Sequence, residues 1–326
     1  MERRALLRNM AVVGLGAALP LHSLFAAKTA VSAERPYHRF KLGDLELMVV
    51  TDGHIVMSPV QPNFGPDAPA AEVNKLLQDN FRSTKEIDLG VNILVVKKGS
   101  DIILIDSGVG HNFGPASGWL PASLKDAGID VADVTKIVIT HAHPDHIGGL
   151  LSKDNQLIFP NAAVYISEIE YQFWTADKPD FSKSKLRDKE MLSNALSFAK
   201  YVLTTLKDRL HFFNDRDELF GCIRLQLAAG HTPGHTLVRV FSGSEEIVHI
   251  ADLLHSDVLL FPHPEWGFAG DTNFALAAAN RKKVLETLAL ERKAVFTSHL
   301  AWPGLGHVKK KGNAYEWAAE MYSFPA

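Results

Sequence analysis

Lys136-Ile137-Val138-Ile139-Thr140-His141-Ala142-His143-Pro144-Asp145-His146-Ile147-Gly148-Gly149 is the stretch that decides how this chain folds and what it can do. Its first half, Ile137-Val138-Ile139, is apolar and β-branched, which reads as a buried strand. At the extended end of a strand, residues i and i+2 point the same way, so His141 and His143 can converge on one ion. Pro144 then turns the chain, and Asp145 and His146 leave in another direction. Four metal-competent side chains in six residues, divided into two pairs, suit two adjacent ions, and a strand end is a rigid place to hold them. A histidine-rich solvated loop is the bland alternative. The apolar strand before the motif and the glycine pair after it argue against that alternative.

Four ligands do not complete two sites. Three further polar residues each follow an apolar run. His231 follows Leu225-Gln226-Leu227, Asp252 follows Ile247 to Ala251, and His299 follows Val295-Phe296-Thr297-Ser298. Any one alone reads as a cap or a surface group; their shared position after a strand makes them a set.

Composition narrows the function. Hydrophobic residues are 46% and charged residues 22% of 326, the balance of an ordinary globular protein. The formal charge of −3 offers no basic excess for phosphate backbones, so nucleic acid is not an expected partner. A single cysteine, Cys222, excludes an intramolecular disulfide and a thiolate zinc cage. It lies beside an apolar strand and reads as a buried packing residue.

Residues 1–33 read as an export signal: Arg3-Arg4, an apolar run from Met10 to Leu21, and a small-x-small cleavage site at Val31-Ser32-Ala33. The arginine pair suggests the twin-arginine route, which carries folded proteins. A periplasmic or secreted protein is therefore expected. The apolar run is shorter than the ~20 residues a bilayer requires, so no stable span is expected in the mature form. Cleavage would remove a net +3 and leave residues 34–326 at −6.

Residues 34–326 read as one domain. Strands are expected on both sides of Gly43-Asp44, at Val91–Val96 and Ile102–Ile105 as a hairpin, and at Ile137–Thr140, Ala163–Ile166, Ile223–Leu227, Leu237–Phe241, Ile247–Ala251 and Ala294–Thr297. Helices are expected at Ala70–Asn80, Leu120–Ala127, Glu168–Trp174, Lys189–Leu206 and Phe274–Leu290. Pro59–Pro69 reads as an irregular loop. Strand clusters with interspersed helices in both halves imply two packed sheets with helices outside.

The His-x-His-x-Asp-His run, the later histidine, the aspartate after a strand and the final histidine resemble the metallo-β-lactamase superfamily, in order and across the chain from the first strands to His307. Within it the chain resembles the methyl parathion hydrolase and lactonase branch. Thr51-Asp52-Gly53, Asn112-Phe113-Gly114-Pro115, Gln172-Phe173-Trp174, His263-Pro264-Glu265-Trp266 and the run from Ser298 to His307 carry that likeness. The resemblance implies an α/β fold, a four-layer αββα sandwich, with metals at one edge of the two sheets. It implies one ion on His141, His143 and His231, a second on Asp145, His146 and His299, and Asp252 bridging them. Nitrogen and oxygen donors without thiolate suit Zn²⁺ foremost, with Mn²⁺, Fe²⁺ and Co²⁺ compatible. By analogy with the branch, a homodimer is expected.

Such a centre implies a shared water, deprotonated near neutral pH, as nucleophile. Asp145 or Asp252 would then pass the proton to the leaving group; the residues do not choose between them. Asp106, at the end of the Ile102–Ile105 strand, is the candidate for orienting a ligand from behind, and His235 and His307 are read as structural or supporting. Lactonases of the superfamily often place a tyrosine three residues after the bridging aspartate; here that position is His255, which either lines the pocket and meets substrate or faces solvent. Phe113 and Trp174 are the lead substrate contacts. Phe261, Trp266 and Trp302 are weaker candidates, read as core. A small, neutral, apolar lactone, aryl ester or organophosphate triester is the expected substrate. The alternatives are an exported β-lactamase and a mononuclear iron oxidoreductase of the same fold. A metal-storing scaffold without turnover is a third.

Overall fold

The computed structural model describes residues 35–321; the expected export signal at 1–33 lies outside them. Among the described residues, fourteen strands form two seven-stranded mixed sheets. The first contains β1 (Tyr37–Leu42), β2 (Leu45–Met57), β3 (Ile87–Lys98), β4 (Asp101–Ile105), β5 (Lys136–Ile139), β6 (Ala163–Ser167) and β7 (Leu210–Phe213), in that spatial order. The second contains β8 (Glu218–Leu219), β9 (Ile223–Leu227), β10 (Thr236–Ser242), β11 (Glu245–His249), β12 (Ala294–Phe296), β13 (Leu305–Lys311) and β14 (Ala314–Ala319), again in sequence order across the sheet. Neighbours from β4 to β7 are parallel, as are β11 and β12; the others pair antiparallel.

The helices are α1 (Val60–Asn63), α2 (Ala70–Asp79), α3 (Leu120–Asp126), α4 (Pro144–Ile147), α5 (Glu168–Thr175), α6 (Lys189–Thr205) and α7 (Phe274–Glu291). Strand alternation builds the layers. On β3, β4 and β5, Leu94, Val96, Ile103, Ile105 and Val138 point to a core shared with Ile223, Leu225, Val238, Val240 and Ile247 of the other sheet. Their neighbours Ile93, Val95, Leu104, Ile137 and Ile139 point the opposite way, onto Leu120 and Leu124 of α3 and Val202 and Leu203 of α6. On the second sheet, Leu237, Val248 and Val295 turn outward to Val284, Leu285 and Leu288 of α7. A period of two, buried on both faces, therefore yields helix, sheet, sheet, helix.

The expected Val91–Ile105 hairpin forms with Lys98 opposite Asp101. Its two-residue turn uses Gly99 at φ +59°. β7, β8 and the short α4 are not among the expected elements, and expectation and structure part elsewhere too. β2 continues past Thr51-Asp52-Gly53 to Met57 through a bulge. A helical turn, α1, interrupts the proline-rich loop, its chain held where Gln61 donates to the Gly65 and Ala68 carbonyls. The β13–β14 hairpin is not among the expected strands, because Lys309, Lys310 and Lys311 at the end of β13 are exposed and leave little alternation to read. Cys222 is buried, as expected. Among the described residues, no helix is long and apolar enough to cross a membrane.

Candidate metal centre

Strands β5, β9, β11 and β12 all deliver their following residues to one edge of the sandwich. His141, His143, His231 and Asp252 form one group there, and Asp145, His146, Asp252 and His299 form a second, with ligand atoms within 4.8 Å of one another in each. The sheets are tied together at this edge by backbone bonds from Thr236 to the Thr140 carbonyl and from Asn92 to the Ser298 carbonyl.

The motif's glycine pair is required by close approach. A Cβ on Gly148 would sit 2.2 Å from the Val109 carbonyl oxygen, and one on Gly149 would sit 1.9 Å from that of Ser107. The loop after β4 therefore packs directly under α4 and carries Asp106 to the site.

The tautomers of four ligands follow from their partners. The Nδ1 of His146 lies 2.8 Å from Asp106 Oδ2, that of His231 2.8 Å from Asp271 Oδ1, and that of His299 2.8 Å from the Gly90 carbonyl. These acceptors can only accept, so each Nδ1–H donates and each Nε2 is left to offer its lone pair to a cation in place of a proton. Thr140 Oγ1 donates to Asp106 Oδ2, which leaves it to accept from His141 Nδ1 at 3.0 Å. The four lone pairs converge. His143 Nδ1 lies 3.1 Å from His141 Nε2 and 2.9 Å from His231 Nε2, and a single proton cannot serve both. His146 Nε2, His299 Nε2 and Asp252 Oδ1 are buried without a hydrogen-bond partner. Such an arrangement of lone pairs fits cations.

Asp252 faces both groups. Its Oδ1 lies 3.0 Å from His146 Nε2 and 3.1 Å from His299 Nε2; its Oδ2 lies 3.3 Å from His231 Nε2 and 3.6 Å from His141 Nε2. One oxygen for each set is the geometry of a bridge. Burial opposes ionisation of Asp252, but the surrounding imidazoles, His146 and His299 first, hold its carboxyl well below the usual range. Burial likewise pushes against charge on His231, yet Asp252 and Asp271 lift it to about 9. The electrostatics of the site thus favour positive charge between these residues.

Of the supporting candidates, Asp106 is buried and binds His146, Thr140 Oγ1 and the Thr140 amide. His235 accepts from the Asp252 amide at 3.2 Å and donates to the Ala228 carbonyl, which places it directly behind the bridge. His307 does not support a ligand. It sits on β13, bonded to the Lys293 carbonyl and to Glu320. Closeness in sequence to His299 does not survive the turn between β12 and β13.

His255 is 4% exposed, so the solvent-facing reading is excluded. Its Nε2 lies 3.0 Å from Asp252 Oδ2 and its ring stacks on His299 at 5.3 Å. With His143, Asp145 and Asp252 it lines a cavity of about 600 Å³. Away from the ligands the lining is mostly apolar, with Ile55 and Met57 of β2, Phe113, Trp174, and Leu192 and Phe198 of α6, but Asn112, Asp188, Glu190 and Asn194 also reach it. Phe113 is half-exposed at the mouth, whereas Trp174 is buried with its ring 5.4 Å from that of His143. Phe261 is core, Trp266 packs on the α7-side core and stacks on His263, and Trp302 packs on the core between the sheets. None of these three lines the cavity.

Sequence reasoning missed Asp271, which holds His231 and is itself held by Arg281 Nη2 at 3.1 Å. It also missed Glu170 and the contribution of α6. Asp271 follows no strand, and only its position in a Gly-Asp-Thr turn before a helix marked it.

The chain matches the metallo-β-lactamase superfamily model over residues 87–299. It belongs to that superfamily. Among solved structures, it is similar to AidC, a dizinc quorum-quenching lactonase in complex with a product, N-hexanoyl-L-homoserine. The two are 43% identical, with 89% of this chain and 99% of the other covered and a TM-score of 0.86. A hydrolase of the β-lactamase superfamily, AbOPH, is 30% identical over 89% of this chain and 99% of its own, at a TM-score of 0.80. A probable metal-dependent hydrolase from Staphylococcus aureus, 20% identical over 87% of this chain and 100% of its own, shares the fold at 0.69. A search of curated protein sequences found no match. With the two ligand groups, these relatives make the chain a metal-dependent hydrolase of the superfamily with two divalent ions, zinc in the dizinc relative.

Proposed function

We propose that this superfamily member is a lactonase that opens lactones bearing an apolar acyl chain. The observation that carries the proposal is the apolar cavity of about 600 Å³ standing directly on the ligand cluster. The 43% identity to a dizinc lactonase supports it. Two divalent ions, when bound, supply a Lewis acid for the carbonyl oxygen and lower the pKa of a water to about 7. His141, His143, His231 and Asp252 would hold one, and Asp145, His146, His299 and Asp252 the other. Phe113 and the apolar side chains of α6 shield the acyl chain from water. His143 and Asp145 are the two ligands that are not fully buried, both line the cavity, and of the two only Asp145 is a carboxylate. That position suits Asp145 to receive the proton lost by the attacking water and hand it to the departing ring oxygen.

The same walls accept aryl esters and neutral organophosphate triesters, which also place an electrophilic centre beside an oxygen leaving group. A panel of an acyl-homoserine lactone, dihydrocoumarin, a p-nitrophenyl ester, methyl parathion and a cephalosporin ranks them. Lactone turnover with the highest kcat/KM, abolished by chelation, is expected. Cephalosporin turnover alone would replace the proposal with a β-lactamase, and bound iron without hydrolysis would replace it with oxidation chemistry. Cleavage of residues 1–33 on export and assembly as a homodimer belong to the same proposal. Mass analysis of the mature protein and light scattering test them.

A further inference from the structure

His143 and His231 reach the same ion from different sheets, on two loops whose imidazoles meet at the site. Behind the imidazoles, one carboxylate bonds to both loops. Glu170, fully buried in the first turn of α5, accepts four hydrogen bonds. Its Oε1 takes the Ala142 amide at 2.9 Å and the Trp174 indole at 2.6 Å. Its Oε2 takes the Thr232 hydroxyl at 2.8 Å and the Gly234 amide at 2.7 Å. One oxygen thus serves the loop of His141 and His143, and the other serves the loop of His231. Ala142 lies between two ligands and Thr232 directly follows a third. The fit is close: a Cβ on Gly234 would stand 2.5 Å from both the Cβ and the amide nitrogen of Glu170.

We propose that Glu170 is a positioning residue that sets the separation of the two loops and so determines the affinity of the His141–His143–His231 position for its metal, leaving the other position to Asp106. The argument is geometric. A metal–nitrogen distance tolerates about 0.2 Å of error, and a carboxylate bonded rigidly to both loops fixes that distance without touching an imidazole. Asp106 does the corresponding work for the second position by bonding His146 itself. Glu170 bonds neither His146 nor His299, so its loss spares the second position, whereas Asp106 bonds His146 directly and reaches His141 only through Thr140. The inference rests on the two-ion site and not on the substrate, so a failed lactone assay leaves it standing.

The test is a zinc titration of the full chain against a competing chelator, for the wild type, Glu170→Gln, Thr232→Val and Asp106→Asn. An amide at position 170 must turn its NH₂ toward donors on one of the two loops. Glu170→Gln is expected to weaken one zinc step by tenfold or more and leave the other within threefold. Thr232→Val, which removes one bond at constant volume, should weaken the same step less. In cobalt-loaded protein, Glu170→Gln and Asp106→Asn should remove different bands of the visible spectrum. Melting of the metal-free variants reports folding independently. Two wild-type zinc steps in Glu170→Gln would overturn the proposal, as would equal loss of both or loss of the same cobalt bands as in Asp106→Asn. If Glu170→Gln does not fold, Thr232→Val decides, and wild-type zinc binding there overturns it.

Discussion

Asp252 and His255 concentrate the chemistry in two side chains. Asp252 is the residue whose two oxygens face the two ligand groups, so Asp252→Ala should leave less than one equivalent of zinc and reduce turnover at least a thousandfold. Two bound equivalents with wild-type activity would remove it from the mechanism. His255 donates to the Oδ2 that faces the first group. His255→Phe keeps the ring volume between Phe64 and Phe268 and deletes the donor. Loss of a ligand's supporting bond costs 10–100-fold in affinity or activity, so kcat should fall about tenfold with KM nearly unchanged. A raised KM at constant kcat would instead make His255 a substrate contact. The glycine pair belongs to this scale too. Gly149→Ala forces a Cβ against the Ser107 carbonyl, and overpacking of that kind costs about 1–3 kcal/mol. Urea denaturation should show it as a lower midpoint.

At the scale of elements, the ends of strands were legible and their supports were not. Apolar runs such as Ile137–Ile139 and Val295–Phe296 announce buried strands, and the polar residue after each announces the site edge. Glu170 and Asp271 carry no such signal, because a carboxylate in a helix's first turn or before a helix is ordinary; only tertiary contact makes it a support. The α6 wall was hidden for a similar reason: its helix was readable, but which face lies over the cavity depends on packing. β11 shows a further consequence of burial. It ends at His249, whose Nδ1 accepts from the Ala251 amide and which is held neutral, chiefly by burial, with its pKa lowered to about 4. An unfolded histidine titrates near 6.5. Between these values the unfolded chain binds the proton and the fold does not, so His249 contributes stability that is complete above pH 6.5 and is lost as pH falls through about 4. In metal-free protein, His249→Asn keeps an acceptor for Ala251. It should make unfolding free energy less steep by up to about 1.4 kcal/mol per pH unit across that window. Parallel profiles for variant and wild type would show that His249 is protonated in the fold.

For the whole molecule, the site edge is also the seam between the two sheets. His141, His143, Asp145 and His146 come from the first sheet, and His231, Asp252 and His299 from the second. Each metal position draws on both, so ions there link the sheets as well as serving chemistry. An ion that binds only the folded state stabilises it by about 2.7 kcal/mol at 100 times its Kd. Two such ions supply about 5 kcal/mol. A domain somewhat larger than 250 residues shifts its melting midpoint by about 2 °C per kcal/mol. Stripping zinc with a chelator should therefore lower the midpoint by about 10 °C, and restoring zinc should recover it. The sandwich core between the sheets, built from Leu94, Ile103, Val238, Val240 and their neighbours, does not depend on the ions, so the metal-free chain should still unfold cooperatively. Equal midpoints with and without zinc would mean that the seam is already closed by the Thr140–Thr236 and Asn92–Ser298 bonds and that the ions serve chemistry alone.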